Sequence, residues 1–378
     1  MSNGVYMVAA KRSAVVPRGG AFANLRPHEL AAPVVNALLQ DAAIKAAQIE
    51  HIVLGNGLSG GGNVARMVGL AAGLPESVPA LTLDSQCCGG MDAVQMGMHM
   101  IGAGAAQLVL AGGVESYSTA PRRIARGLHG APDHEYQRPP FAPDPARDPD
   151  MLDAAAQLAA MRKISRSAQE EFAILSHQKA MDALARLHDE IVPIADIDQD
   201  QFTRQLSARL CAKLPVLTGD AETGLTTATT AVEADGAGLC LLVSEAMLNA
   251  QPHWQKRAVK LCGGISRGSD PAMPALAPIP AIQHLLQQLE LSASDMSVIE
   301  MMEAFAVQAM ACLEETELPL DRTNLGGGAL ARGHPIGASG AINLVRLFYE
   351  MRRLEAGAFG LAAIAGAGGL GSAMVMQK

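Results

Sequence analysis

Aromatic side chains are scarce in this sequence: one Trp, four Tyr and seven Phe among 378 residues. Charged residues are also few, at 17%, and they do not lean basic, since the formal net charge is -8. A chain of that sign repels polyanions, which excludes a dedicated nucleic-acid binder. No apolar run reaches the roughly 18 residues that a membrane helix needs. The opening MSNGVYMVAAKRS has neither the apolar stretch nor the cleavage pattern of a secretory leader, so we expect a cytoplasmic protein. The six cysteines form no CxxC pair, and no Cys/His spacing resembles a zinc site. Free, reduced thiols and no metal are expected.

What the chain does have is small and apolar. Apolar residues make up 49%, with 38 Gly and 21 Pro, as in a tightly packed α/β protein. The length allows two or three domains, or one duplicated unit. Short apolar runs at Val5–Ala10, His51–Leu54 and Leu108–Ala111 read as strands, the last halted by Gly112–Gly113. Pro27–Asp41 and Met91–Ile101 carry apolar residues at helical spacing. After residue 247 the rhythm returns, with a strand at Val298–Met302, a helix through Val307, Met310 and Leu313, and strands at Phe359–Ile364 and Ala373–Met376. Each half has a short strand running into a helix at a chemically notable junction, as two related halves would. The stretch between differs. It is irregular, first Arg/Pro/Asp-rich and later Thr-rich, with Ser167 and Glu170 as a capping box before a helix. The expected division is 1–119, a loop domain at 120–246 lying over the main body, and 247–378.

Three glycine-flanked windows could carry chemistry. In Asp84-Ser85-Gln86-Cys87-Cys88-Gly89-Gly90-Met91 a strand gives way to a helix. A cysteine there meets the positive end of the helix dipole, which lowers a thiol pKa; the alternative is two small buried hydrophobes. In Gly333-His334-Pro335-Ile336-Gly337-Ala338-Ser339-Gly340 a histidine is held on a constrained loop before a helix, as suits a general base; the alternative is a structural turn. A distant Cys and His is the usual layout of an activated thiol nucleophile. Gly366-Ala367-Gly368-Gly369-Leu370-Gly371 exposes backbone N–H groups that could hold an oxyanion. Gly55-Asn56-Gly57-Leu58-Ser59-Gly60 matches a dinucleotide fingerprint after a strand, but its glycines run on to Gly62 where a helix should begin. The Met-rich stretch near Met96 reads as core, and His177 with Lys179 as a solvated helix face.

Taken in order, these windows resemble the thiolase family over essentially the whole chain. The Cys87 window is similar to its acylation motif, and Ala111-Gly112-Gly113-Val114-Glu115-Ser116-Tyr117-Ser118 to its GGxESxS signature. Glu190-Ile191-Val192-Pro193, Glu303-Ala304-Phe305-Ala306 and the His334 window complete the series. The resemblance implies a duplicated five-layer α-β-α-β-α fold with an inserted loop domain, and a homodimer or homotetramer. It implies CoA thioesters as substrates, with no cofactor held. Cys87 would be the nucleophile and His334 its base. Backbone N–H groups of Cys87 and Ala367 would form the oxyanion hole. Met151, Ala304 and Phe305 would line the substrate pocket.

Departures from the family pattern are equally specific. Ala365 stands where a second catalytic cysteine is usual, Met302 replaces an asparagine, Ala231 a serine and Gly89 a serine. Alanine can neither deprotonate an acceptor nor protonate a leaving group, and losing a positioned acid/base costs about 10²–10⁴-fold. An acyltransferase with an altered second half-reaction is therefore expected. The alternatives are an ordinary thiolase with a substitute acid/base, and a non-catalytic acyl-CoA-binding or scaffold subunit. Cys312 is expected to be buried in a helix.

Overall fold

The computed structural model describes residues 4–378; the first three residues of the segment read for a leader lie outside the described residues. The chain begins with β1 (Val5–Ser13) and α1 (Pro27–Ala42). Pro27 suits the first helical turn, where its missing N–H would be unpaired anyway. Glu29 accepts the Arg26 N–H at 2.9 Å. There follow β2 (His51–Gly55), α2 (Val64–Ala71), β3 (Ala80–Leu83), α3 (Gly89–Gly102) and β4 (Leu108–Glu115). An inserted stretch carries α4 (Met151–Arg162) and α5 (Arg166–Asp182). The remainder is β5 (Ala234–Ser244), β6 (Val259–Gly268), α6 (Pro278–Gln288), β7 (Met296–Met301), α7 (Ala306–Glu315), α8 (Ile336–Met351), β8 (Phe359–Gly366) and β9 (Leu370–Gln377).

The strands run in the order β7-β8-β9-β6-β1-β5-β4-β2-β3. In the first half, β1 and β5 are antiparallel, β5 and β4 antiparallel, β4 and β2 parallel. In the second half, β6, β9, β8 and β7 repeat that sequence of pairings. Among the described residues the strands of the two halves pair through Tyr6↔Lys260 and Met7↔Val259. This is a duplication in topology. Three hydrophobic clusters define five layers. α1 and α2 cover one face of the first half through Leu30, Val34, Leu38 and Val68. α3 and α8 lie between the two sheets, with Met91, Val94, Leu344 and Phe348 touching both. α6 and α7 cover the far face through Ile282, Leu285 and Cys312.

Four expectations are corrected. β5 lies inside the expected loop domain of 120–246, yet it pairs with both β1 and β4 and is buried along its whole length. The inserted stretch therefore ends before Ala234. Gly112 and Gly113 do not halt β4, which continues to Glu115. A Cβ on Gly113 would sit 2.0 Å from the Gly337 carbonyl oxygen, so glycine there lets the start of α8 press onto the strand. The cap of α5 is Ser165, whose Oγ accepts the Ala168 N–H at 3.2 Å; Ser167 and Glu170 are inside the helix. His177 is buried on α5, where its Nδ1 accepts the Arg204 N–H at 3.3 Å.

A buried ion network fastens the insertion to both halves. Arg12 of β1 pairs with Glu190 at 2.6 Å and Asp200 at 2.7 Å, and Arg346 of α8 pairs with the other Glu190 oxygen at 2.5 Å. Removing one partner from such a set leaves an uncompensated buried charge, at a cost of about 3–5 kcal/mol.

Candidate active site

Cys87 is the middle residue of a single 3-10 turn, Gln86–Cys88, between β3 and α3. Gln86 is left-handed at φ 55, and Asp84 Oδ1 steadies the turn by accepting the Gln86 N–H at 3.1 Å. His334 sits just before α8, with its backbone N–H donated to Val232 O at 2.8 Å. The inner helices α3 and α8 thus carry the two groups to one point. His334 Nε2 lies 3.2 Å from Cys87 Sγ.

Ser339, one turn into α8, sets the imidazole. Its Oγ donates to Pro335 O at 3.0 Å and lies 2.7 Å from His334 Nδ1. A hydroxyl already donating elsewhere must accept from the ring, so Nδ1 carries the proton and the Nε2 lone pair faces the thiol.

The sulfur is not the lowered-pKa thiol that a helix N-terminus alone would give. Burial pushes Cys87 up to about 12, Glu115 and Asp84 add to the rise, and the N–H groups of Cys87 and Ala367 offset only part of it. Burial likewise pushes His334 down to about 4. Among the described residues no cation lies close enough to reverse either effect, so the resting pair is neutral thiol and neutral imidazole. The dipole argument fails here because desolvation of a sulfur recessed at the base of a cavity is the larger effect.

Glu115, at the end of β4, is fully buried and braces the site. It accepts N–H groups from Gly57 at 2.9 Å and Gly337 at 3.1 Å, and the Asn56 amide at 2.8 Å. Burial raises its pKa to about 7 against those hydrogen bonds. The glycines of the dinucleotide-like window are accounted for by this brace and by close packing. A Cβ on Gly55 would lie 2.2 Å from the Gly89 carbonyl carbon, and α2 begins only at Val64, behind its Asn63 cap.

A cavity of about 590 Å³ opens above the pair. Cys87, His334, Ala304, Phe305, Met151 and Ala367 all line it, so the sequence-predicted residues converge. Ala365 and Ala231 also reach its wall. Met302 does not; it is buried in the layer between the sheets. Gly89 packs on the β2 backbone. Cys88 is buried, with Sγ donating to Ile364 O at 3.7 Å, which leaves Cys87 as the accessible sulfur. Cys312 is buried on α7, with Sγ donating to Ala275 O at 3.3 Å. Ser339 and Tyr117 were not singled out from sequence, although both stand in windows that were. Among the described residues no group of three His, Cys, Asp or Glu could hold a metal ion.

Residues 5–246 match the pattern of the thiolase N-terminal domain, and residues 255–378 that of the thiolase C-terminal domain. The chain belongs to the thiolase family. It is 36% identical over 382 residues to the Bacillus subtilis protein YhfS, named as a candidate acetyl-CoA C-acetyltransferase, with 98% of each chain covered. Among solved structures it resembles the Bacillus anthracis acetyl-CoA acetyltransferase, at a TM-score of 0.91 and 29% identity, covering 100% of this chain and 99% of that one. Human mitochondrial 3-ketoacyl-CoA thiolase in complex with CoA resembles it at a TM-score of 0.89 and 29% identity, covering 100% and 98%.

Proposed function

We propose that this thiolase-family acyltransferase takes an acyl group from a CoA thioester onto Cys87 and passes it to CoA or another acceptor. The observation that carries the reading is the 3.2 Å contact between His334 Nε2 and Cys87 Sγ at the base of the cavity. As the sulfur attacks the thioester carbon, His334 takes its proton. The thiolate is formed only beside the new imidazolium, so a buried charge is never left unpaired. The N–H groups of Cys87 and Ala367, which face the sulfur, hold the oxyanion in this reading. Met151, Ala304 and Phe305 form the wall along which the pantetheine and acyl arms lie. The methyl of Ala365 offers no proton, so the second half-reaction relies on another group. A scaffold role is less favoured, because sulfur and base remain in contact.

We place the inserted stretch at about 120–233, with β5 returning to the first half and the second half beginning near residue 247. We infer a homodimer or homotetramer. Edge strand β3 exposes Leu81, and Met67, Leu70 and Met96 are exposed on the neighbouring helices, which supports pairing through that edge. A cytoplasmic setting is supported by six free cysteines. Among the described residues no helix is long and apolar enough to cross a membrane.

The test is intact-protein mass spectrometry after mixing with acetyl-CoA and longer acyl-CoAs. An acyl adduct is expected on the wild type and none on Cys87→Ala. A folded wild type that takes no acyl group from any donor overturns the reading.

A further inference from the structure

We infer that Tyr117 is the acid/base of the second half-reaction, donating the proton that the α-carbon of the departing acyl-CoA requires. This rests on the acyltransferase reading above. The need is chemical. When a C–C bond beside a thioester breaks, the electron pair stays on carbon as an enolate. That carbon must be protonated within the cavity, and no thiol stands at residue 365.

Several groups around the cavity carry protons. Glu135 pairs with the Arg122 guanidinium, and Tyr136 ends the short strand His134–Tyr136 of the inserted stretch, whereas Tyr117 is near enough to Cys87 to feel its charge. Arg18 and Glu233 pair with each other at 2.8 Å and are half exposed. Asp150 is committed to capping α4, accepting the Leu152 N–H at 2.8 Å. Tyr117 differs. It lines the cavity together with Cys87 and Ala365, and its hydroxyl has no hydrogen-bond partner among the described residues. It emerges directly from the end of β4, where the backbone is rigidly held. Asp235 accepts the Ser118 N–H at 3.0 Å and the Ser118 hydroxyl at 2.5 Å, and Ser116 Oγ donates to Leu25 O at 3.1 Å. The phenol is therefore presented from a fixed frame rather than a loose loop. Burial raises its pKa well above 10, with the Cys87 sulfur the foremost of the neighbouring charges it would feel. A weakly acidic phenol suits a strongly basic carbon.

The steps balance. Cys87 sulfur attacks the keto carbon of a 3-ketoacyl thioester and its proton moves to His334. The C–C bond breaks, and the enolate carbon takes the Tyr117 phenolic proton to give an acyl-CoA. The tyrosinate then takes the thiol proton of an incoming CoA. The CoA sulfur attacks the acyl-Cys87 carbonyl, the Cys87–acyl bond breaks, and Cys87 recovers its proton from His334.

The test separates two readouts, Cys87 acylation by mass and deuterium uptake into the methyl group of acetyl-CoA in D₂O. Expulsion of a thiolate needs no proton, so Tyr117→Phe is expected to acylate within about tenfold of wild type. Its deuterium uptake is expected to fall by about 10²–10⁴-fold. Tyr117→His is expected to regain uptake, with a new ionisation in its pH profile. Uptake in Tyr117→Phe within threefold of wild type overturns the inference, as do Phe and His variants that exchange alike. A wild type that acylates without exchange also overturns it and leaves the acyltransferase reading standing. A wild type that does not acylate removes both.

Discussion

Ser339→Ala removes one oxygen atom and should disable the base without touching it. In the wild type, Ser339 Oγ donates to Pro335 O at 3.0 Å and accepts from His334 Nδ1 at 2.7 Å. Ser339 is buried, so alanine leaves the Nδ1–H without a partner where water does not reach. Such an orphaned donor costs about 1–3 kcal/mol. The ring escapes that cost by moving its proton to Nε2, which then points an N–H instead of a lone pair at the Cys87 thiol. Either route removes catalytic base. The same energy corresponds to a fall in acylation of about 5- to 150-fold, at about 1.4 kcal/mol per decade. Single-turnover acylation of Cys87, followed by quenched-flow mass spectrometry, reads it directly. The pH dependence provides a second readout. With His334 held down to about 4, its base form persists well below 6.5, so wild-type acylation should hold on acidification until near pH 4. A Ser339→Ala variant that acylates within twofold of wild type across that range would refute the tautomer assignment.

Three further outcomes follow from packing and charge. Gly340→Ala places a Cβ 2.7 Å from Met91 N, a backbone clash that no rotamer relieves. It should cost about 1–3 kcal/mol or more in urea unfolding and slow acylation by displacing α8 from α3. Gly102→Ala, with nothing within 4 Å of the new Cβ, is the neutral control. Glu300 is fully buried with neither oxygen hydrogen-bonded, and burial raises its pKa from 4.5 to about 7. Its folded state therefore prefers the protonated acid, and stability present below pH 4.5 is lost as pH rises through 7. Glu300→Gln does not titrate, so its thermal stability relative to wild type should rise between pH 5 and 8, by about 1–3 kcal/mol; a constant difference across that range would count against a titrating Glu300. Leu81→Lys puts a charge on the β3 edge and should shift light-scattering mass toward the monomer, whereas an unchanged mass would locate the interface elsewhere.

The sequence by itself pointed to most of the elements and to the pair Cys87 and His334. The apolar runs Val5–Ala10 and Phe359–Ile364 are legible as strands because burial on both faces demands such runs, although the first strand continues to Ser13 and the second to Gly366. Cys87 and His334 are legible because each stands in a glycine-rich junction whose backbone needs restrict the residue types. Only the tertiary structure decided the rest. β5 belongs to the sheet because β1 and β4 flank it, a fact absent from its own residues. The neutral state of Cys87 follows from how completely its neighbours exclude water, and desolvation is a property of the whole enclosure rather than of a helix end. Ser339 acts on His334 because one helical turn brings its hydroxyl back over the ring, and Glu115 braces the site because segments far apart in sequence turn their N–H groups onto one carboxylate. Periodicity and spacing report local geometry, whereas proton positions depend on distances and burial that exist only once the layers have closed.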